Sequence, residues 1–424
     1  MYKIFKFGGA SIKDVDNIIN VGNILLSYQR DNLIIVFSAM GKVTNMLENV
    51  VELYIQKNKQ VFSELQKVKD FHTEIINQLF EIKHNIFDEI NNLFVEIEWI
   101  LEEDSNNNYA YNYDQIVSIG EFLSTKILSE YLNKIGFTNS LLDARDLIKT
   151  DNSYRNAKVN WELTVDCIKK NIKTKHLITQ GFLGCTSENF TTTLGREGSD
   201  FTAAILAFSL EAKEVVIWKD VPGMMNADPK YFKNAKLLEK ISFDEAIELA
   251  YFGAKVIHPK TIQPLKKKQI PLIIRSFLDP KIKGSEITEV VKKSHDVPSF
   301  IIKNDQILIS ISDTSLSFIV ETHMSQIFSL LAKHDVSVNM MQNSAVSFSI
   351  CVDDDKYKIP SLIIDLKKNF KVYYNKNLSL CTIRHYIENS ANNILKGKEI
   401  LLEQKSRNTI QLVINERDIS SIIY

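Results

Sequence analysis

The feature that most constrains this chain is a rhythm: short apolar runs end in glycine or hydroxyl residues, and a helical pattern follows each. Ile4–Phe7 leads into Gly8-Gly9, and Leu33–Phe37 leads into Ser38-Ala39-Met40-Gly41. His176–Thr179, Val215–Trp218 and Ile270–Ile274 repeat the pattern up to about Val291. Alternation of this kind predicts an open α/β sheet, whose ligands sit beyond the carboxyl ends of the strands. At 424 residues the chain is too long for one small core, so two or three domains are expected.

Two stretches break the rhythm. From Met46 to Glu103 the pattern is helical throughout, with Ile86, Ile90, Leu93, Phe94, Ile97 and Leu101 on one face. Residues 46–105 therefore read as a helical insertion or lid, with His72 and His84 as ordinary histidines on a solvated helix and Asp104–Asn108 as the closing loop. After Val291 come a strand at Ile307–Ile311, a helical stripe of Met324, Ile327, Phe328 and Leu331, and a strand at Val336–Met341. Val346, Phe348, Ile350 and Val352 then alternate, and Pro360 opens a helix with Leu362, Ile363 and Leu366 inward. This is a small α+β module. Leu378–Ile383 starts what looks like an abbreviated second copy, with an Asn-rich helix candidate and a hairpin of Glu399–Gln404 and Thr409–Ile414. The domains expected are 1–297, 298–376 and 377–424.

Composition excludes more than it selects. The 45% apolar and 24% charged fractions are those of an ordinary globular protein. A net charge of −1 gives no reason for nucleic acid or an anionic membrane as main partner. Cys167, Cys185, Cys351 and Cys381 lack metal-binding spacing and read as reduced thiols. The opening Met-Tyr-Lys-Ile-Phe-Lys-Phe reads as a strand rather than a signal peptide, and no apolar run approaches membrane length. A cytoplasmic protein is expected.

The chemistry concentrates in a few turns. Thr191-Thr192-Thr193-Leu194-Gly195-Arg196-Glu197-Gly198-Ser199-Asp200 leads directly into the helical Phe201–Leu210. Unpaired N–H groups at a helix start suit phosphate or carboxylate, glycines allow close approach, and a guanidinium can fork onto a carboxylate. Lys6 stands just before Gly8-Gly9, where an ammonium can neutralise phosphate; singly, it also reads as a solvent-facing lysine. Ser38 and Val43-Thr44-Asn45 offer hydroxyls, or simply caps. Glu121 follows Gly120 in a first helical turn, where an acid also complements the dipole. Trp218-Lys219-Asp220-Val221-Pro222-Gly223 leaves a buried strand, and Asn226-Ala227-Asp228-Pro229-Lys230 follows. In Phe252–Pro259, Lys255 can offset a helix dipole, and His258 reads as a packing or capping residue rather than a catalyst.

Taken together and in order, Lys6–Ser11, Ser38–Asn45, Gly120-Glu121, Thr191–Asp200, Asp220–Gly223 and Phe252–Pro259 resemble the aspartate kinases of the amino-acid kinase superfamily. The resemblance runs from Tyr2 to about Val352 and more weakly beyond. It implies a three-layer α/β/α sandwich with C-terminal ACT modules, small folds that sense amino acids. It implies transfer of the ATP γ-phosphoryl group to the side-chain carboxylate of L-aspartate, the step that opens lysine, threonine and methionine synthesis. By the same resemblance Lys6 and Asp200 are catalytic, with Asp200 holding the lysines. Ser38, Thr44, Glu121, Arg196 and Ser199 bind aspartate. Lys6, Gly8, Gly9, Lys219, Asp220, Lys230 and Lys255 meet the nucleotide. Met324, Ser337, Val338 and Asn339 mark the effector strand. Mg²⁺ arrives with ATP, held by phosphate oxygens and water, so no protein metal cluster is expected. A homodimer through the ACT sheets is expected by analogy.

Five departing residues bear on this. Glu197 replaces a glycine of the family's Gly-Arg-Gly-Gly-Ser-Asp, and Lys219 and Met225 stand where Thr and Tyr are common. Asn339 and Ala345 stand where lysine-sensitive relatives carry acids, which argues against inhibition by lysine. Pro298–Lys303 is expected to complete the sheet of the second module. Two other readings remain. One is a kinase for glutamate, acetylglutamate or carbamate, against which Ser38–Asn45 and the ACT tail argue. The other is a non-catalytic amino-acid sensor, which would have no use for phosphate-facing lysines. A fused dinucleotide-binding dehydrogenase is not expected after the ACT region.

Overall fold

The computed structural model describes residues 1–103, 108–254, 256–289, 297–314, 318–386 and 398–421. They fall into two compact units. The first comprises Met1–Met224, Glu239–Ile247 and Val256–Val291; the second comprises Met225–Leu238, Glu248–Lys255 and Lys292–Tyr424.

The first half of the chain runs β1 (Lys3–Phe7), α1 (Val15–Ser27), β2 (Leu33–Phe37), α2 (Val43–Ile55), α3 (Val61–Leu79), α4 (Ile86–Glu102), α5 (Tyr109–Val117), α6 (Ile119–Lys134), β3 (Ser140–Leu141), α7 (Ala144–Leu147) and α8 (Trp161–Asn171). It continues through β4 (His176–Gln180), β5 (Leu183–Cys185), β6 (Thr191–Thr193), α9 (Gly198–Leu210), β7 (Glu214–Lys219), β8 (Lys240–Ser242), α10 (Phe243–Tyr251), α11 (Pro259–Lys268), β9 (Leu272–Ser276) and β10 (Ser285–Thr288). Eight strands form one sheet in the order β3-β4-β2-β1-β7-β9-β10-β8. All neighbours are parallel except β9 and β10. From the central β1 the chain goes to β2 on one side and returns as β7 on the other. The carboxyl ends of β1, β2 and β7 therefore flank a topological switch point, where open α/β sheets bind ligands.

The runs read as strands are strands because nothing else buries them: Ile4 to Phe7 and Leu33 to Phe37 are inaccessible apart from a partly accessible Lys6. Phe7 stacks on Trp218 at 5.6 Å, nearly coplanar, across the β1–β7 pair. The helices α2–α4 share that core, with Leu47, Val68, Ile90 and Phe94 in the same cluster as Phe5 and Phe37. His72 corrects the sequence reading, because it is fully buried on α3 rather than solvated. Its Nδ1 lies 2.7 Å from the Val68 carbonyl, and burial pushes its pKa down to about 4. His84 is half-buried beside Phe80, at 4.7 Å between ring centres. Of the loop expected at 104–108, only Asn108 is among the described residues; it caps α5 by accepting the Tyr111 N–H.

The second unit contains β11 (Ser299–Asp313), α12 (Glu321–Lys333), β12 (Val338–Asn343), β13 (Ser347–Asp353), α13 (Lys358–Leu366), β14 (Phe370–Arg384), β15 (Ile400–Lys405) and β16 (Thr409–Asn415). They make one six-stranded antiparallel sheet, ordered β12-β13-β11-β14-β16-β15 (antiparallel throughout). Register shifts between Lys303 and Leu308 divide β11, and Asp305 there has φ of 55°. Ser299–Lys303 pairs with Leu380–Arg384, while Gln306–Ser312 pairs with β13. Leu378–Ile383 is thus not a separate strand but the second half of one that starts at Phe370. Exposed polar and tyrosine residues from Tyr373 to Lys376 hide the continuity in the sequence. The Asn-rich helix candidate lies outside the described residues. No helix among the described residues is long and apolar enough to cross a membrane.

Candidate active site

Lys6 is the penultimate residue of β1, Lys219 is the last of β7, and Ser38 directly follows β2. Register sets Lys6 beside Val36 and Ile217, so these strand ends converge. A cleft of about 410 Å³ opens there. Of the residues expected to bind or catalyse, Lys6, Ser38, Thr44, Glu121, Arg196, Ser199, Asp200 and Lys219 all line it. Gly8 and Gly9 do not line it but crowd residues that do or that adjoin them. A Cβ on Gly8 would lie 3.1 Å from Lys6 Nζ, and one on Gly9 would lie 2.7 Å from the Ala39 and Gly41 carbonyls. Only glycine lets the loop after β1 touch the loop after β2.

Asp200, in the first turn of α9, is 2% exposed and serves two lysines. Lys6 Nζ lies 2.7 Å from its Oδ1, and Lys219 Nζ lies 3.3 Å from its Oδ2. Burial alone would raise this carboxyl, but the two ammoniums, Lys6 foremost, outweigh it and hold the group below the usual carboxylate range. One carboxylate against two ammoniums leaves this trio with an excess positive charge at the cleft wall.

Glu121 is the opposite case. It is 2% exposed; Oε1 accepts the Ala39 N–H at 3.3 Å, and among the described residues Oε2 has no hydrogen-bond partner. Burial pushes its pKa up to about 8, against the pull of the Ala39 N–H, its own N–H and Lys6. A buried carboxylate with an unsatisfied oxygen is a site prepared for a cation.

The loop carrying Arg196 is held in unusual backbone geometry. Gly195 has φ of 77°, and a Cβ there would lie 2.8 Å from Asn156 Oδ1. Glu197, the residue in place of glycine, has φ of 52° and leads into α9. Arg196 is exposed at the cleft.

Sequence reasoning missed Tyr113, Arg155 and Phe182, which also line the cleft, and Asp114, which holds it together. Asp114 is fully buried and accepts from the Arg155 N–H at 3.0 and 3.1 Å, the Thr193 N–H at 2.8 Å and the Thr193 hydroxyl at 2.7 Å. Burial still pushes its pKa up to about 6. The guanidinium of Arg155 lies 4.6 Å from the Tyr113 ring centre and 5.0 Å from that of Tyr109. The aromatic run Tyr109–Tyr113 was the one signal in the sequence.

Other expected residues are not brought to the cleft. Asp220 is exposed beyond β7 and does not line it. Lys230 belongs to the second unit and is exposed, its N–H donating to Asp228 Oδ1 at 2.9 Å. Lys255 lies outside the described residues. His258 caps α11, its Nδ1 accepting the Lys260 N–H at 3.1 Å. In the second unit Met324 and Val338 pack against the core under α12 and α13, and Ser337 is exposed. Asn339 is engaged: its amide donates to Gln306 Oε1 at 2.8 Å and Asp353 Oδ1 at 2.9 Å, and it accepts from Lys303 Nζ at 2.8 Å. No cluster of three or more potential metal ligands occurs among the described residues.

Comparison with known proteins agrees with this geometry. The model of the amino acid kinase family matches residues 1–276. The chain is 31% identical over 394 residues to lysine-sensitive aspartokinase 3 of Escherichia coli, covering 90% of this chain and 86% of that protein. It is 31% identical over 370 residues to chloroplastic aspartokinase 1 of Arabidopsis thaliana, covering 83% of this chain and 63% of that one. The crystal structure of E. coli aspartokinase III with aspartate and ADP superposes with a TM-score of 0.84 at 26% identity, over 100% of this chain and 98% of that one.

Proposed function

The chain belongs to the amino acid kinase family and, within it, to the aspartokinases; from that premise we propose how its cleft transfers the ATP γ-phosphoryl group to the side-chain carboxylate of L-aspartate. The observation that carries this reading is the pairing of opposites in one cleft, which Lys6, Asp200 and Lys219 line together with the half-satisfied Glu121 carboxyl group.

An aspartate side chain is ionised at neutral pH, so the nucleophile requires no base. One of its oxygens attacks the γ-phosphorus in line. The bond from that phosphorus to the bridging oxygen breaks, and ADP leaves with the electron pair. What the protein must supply is alignment and shielding as anion meets anion. Lys6 faces the moving phosphoryl group and Asp200 fixes its ammonium. Backbone N–H groups at Gly8 and Gly9 approach the phosphates. The family resemblance implies nucleotide contacts for Lys219, Asp220, Lys230 and Lys255, and of these Lys219 lines the cleft. Arg196 takes the α-carboxylate, Glu121 the α-ammonium, and Ser38, Thr44 and Ser199 supply hydroxyls. Mg²⁺ comes as part of the ATP complex.

Residues 1–297 form the catalytic domain in this reading, with 46–105 as its helical insertion. The modules 298–376 and 377–424 form an ACT-like regulatory region through which a cytoplasmic homodimer assembles and an amino-acid effector binds. The test is hydroxamate formation from aspartate and MgATP. Wild-type protein is expected to be active, and Lys6→Ala to lose about 10³-fold in kcat. Phosphorylation of glutamate or acetylglutamate in preference to aspartate would overturn the substrate; a Lys6→Ala protein as active as the wild type would overturn the mechanism.

A further inference from the structure

Behind the Leu194–Asp200 loop the first unit holds a second cavity of about 610 Å³, which shares no lining residue with the cleft. Its wall is aromatic. Trp161 of α8 meets Phe208 of α9 edge-on at 5.0 Å and Phe201 at 6.2 Å. Its charged residues are Lys158, Lys260 and Lys267, and among the described residues no acid lines it.

Lys260 is the most informative of these. It is half-buried, and among the described residues its ammonium donates only to neutral acceptors, the Leu194 carbonyl at 2.8 Å and Asn156 Oδ1 at 3.2 Å. It lies 4.8 Å from the Phe201 ring centre. Burial lowers its pKa, and no carboxylate offsets that. Lys267 reaches over Phe208 at 5.8 Å. An apolar cavity of ligand size with a few convergent polar groups is the usual form of a small-molecule site. This one lacks a single kind of group, an anion.

We propose that this cavity binds a small organic anion with a flat apolar body, of the aromatic carboxylate class. The charge sits between Lys260 and Lys267, and the body lies against Trp161 and Phe208. Occupation reaches the cleft through Lys260, which holds the carbonyl of the residue before Gly195, and through Phe201, which follows Asp200. An anion that draws the ammonium from Leu194 loosens the loop presenting Arg196, so the KM for aspartate rises. That coupling rests on the aspartate-binding role of Arg196; the binding itself does not.

The test uses the full chain with 1-naphthoate and its uncharged counterpart 1-naphthamide, followed by calorimetry. Naphthoate is expected to bind about tenfold more tightly than the amide. Lys267→Gln, at an exposed position, should abolish that preference, and Trp161→Ala should weaken both probes. Equal affinity for the two probes, binding of neither, or a charge preference that survives Lys267→Gln would overturn the site. So would sedimentation showing that Trp161→Ala separates subunits, which would make the face an interface. In the kinase assay naphthoate should raise the aspartate KM severalfold with kcat unchanged. An unchanged KM despite charge-selective binding would overturn the coupling alone. A wild-type protein without aspartate kinase activity would sink the functional reading and leave the calorimetry to judge the site.

Discussion

The two units place backbone strain in different kinds of residue. In the second unit the non-glycine residues with positive φ among those described are Asp305, Asp335, Asn377 and His385. Asp, Asn and His are the side chains that tolerate this region most readily, so these are inexpensive turns encoded where they occur. Around the cleft of the first unit the corresponding residues are Arg155, Phe182 and Glu197, with φ of 67°, 71° and 52°. Such residues cost about 1 kcal/mol or more each in this conformation. Arg155 and Phe182 are held from outside, since Asp114 clamps the Arg155 N–H and the Thr202 hydroxyl accepts the Phe182 N–H at 3.0 Å; Glu197 is held by the first turn of α9, its carbonyl accepting the Phe201 N–H at 3.1 Å. At Arg155 and Phe182 the catalytic cleft is therefore imposed by tertiary contacts, whereas the regulatory turns are written locally. Buried charge follows the same division, with Asp200 and Glu121 both at the cleft.

After the loss of about 10³-fold expected for Lys6→Ala, Glu121 gives the next largest effect. Glu121→Gln should lower kcat/KM for aspartate by about 100-fold, because the substrate ammonium loses its buried counter-charge. The pH behaviour has a definite sign. With a pKa of about 8, Glu121 holds its proton at neutral pH in the free protein. An ammonium beside it favours the carboxylate, so aspartate binding near pH 7 should release a proton, and the release should fade above about pH 8. Calorimetry in buffers of different ionisation enthalpy reads this directly; no proton release by the wild type, or equal release by Glu121→Gln, would contradict the assignment. The contribution of this group to stability should also fall as pH rises from its ordinary 4.5 toward 8, since the folded state retains the proton more tightly than the unfolded chain does.

Lys219 comes next. If it is the second cation of the Asp200 carboxylate, Lys219→Met should lower kcat by about 30-fold with the KM for aspartate little changed, and Lys219→Arg should restore part of it. An unchanged kcat would mean that Lys6 alone carries the shielding.

Much of this was legible in the sequence, for identifiable reasons. The central strands are apolar from end to end, so burial left them no alternative, and their glycine and hydroxyl endings marked the cleft. The clamp was not legible, because Asp114 acts on Arg155 and Thr193, 41 and 79 residues away. His72 could have been read better. It falls in the stripe Val61, Leu65, Val68, His72, Ile76 and Leu79, and that spacing, rather than its polarity, decides where it goes. The long β14 was masked by polar residues at the middle of the strand, where neither face is covered.

Glu197 tests the strain argument itself. Glu197→Gly removes a side chain from a left-handed position, so relief of strain and the greater freedom of glycine in the unfolded chain nearly offset each other. Denaturant unfolding should shift by no more than about 1 kcal/mol, with kcat within about threefold. A large loss of activity would show that the Glu197 carboxylate, rather than its backbone, serves the cleft.

The smallest expected effect belongs to the regulatory unit. Asn339 offers no charge to an effector ammonium, and its amide already spans Gln306, Asp353 and Lys303. The Lys303 ammonium lies 2.8 Å from Asp353 Oδ1, so the nearest carboxylate has a cation of its own. A free lysine would have to displace that residue to gain the same contacts. Added lysine should therefore change the kinase rate by less than about twofold, a coupling of under ~0.5 kcal/mol. Half-maximal inhibition at micromolar lysine would refute this, and would mean that the network around Asn339 opens where the catalytic cleft holds fast.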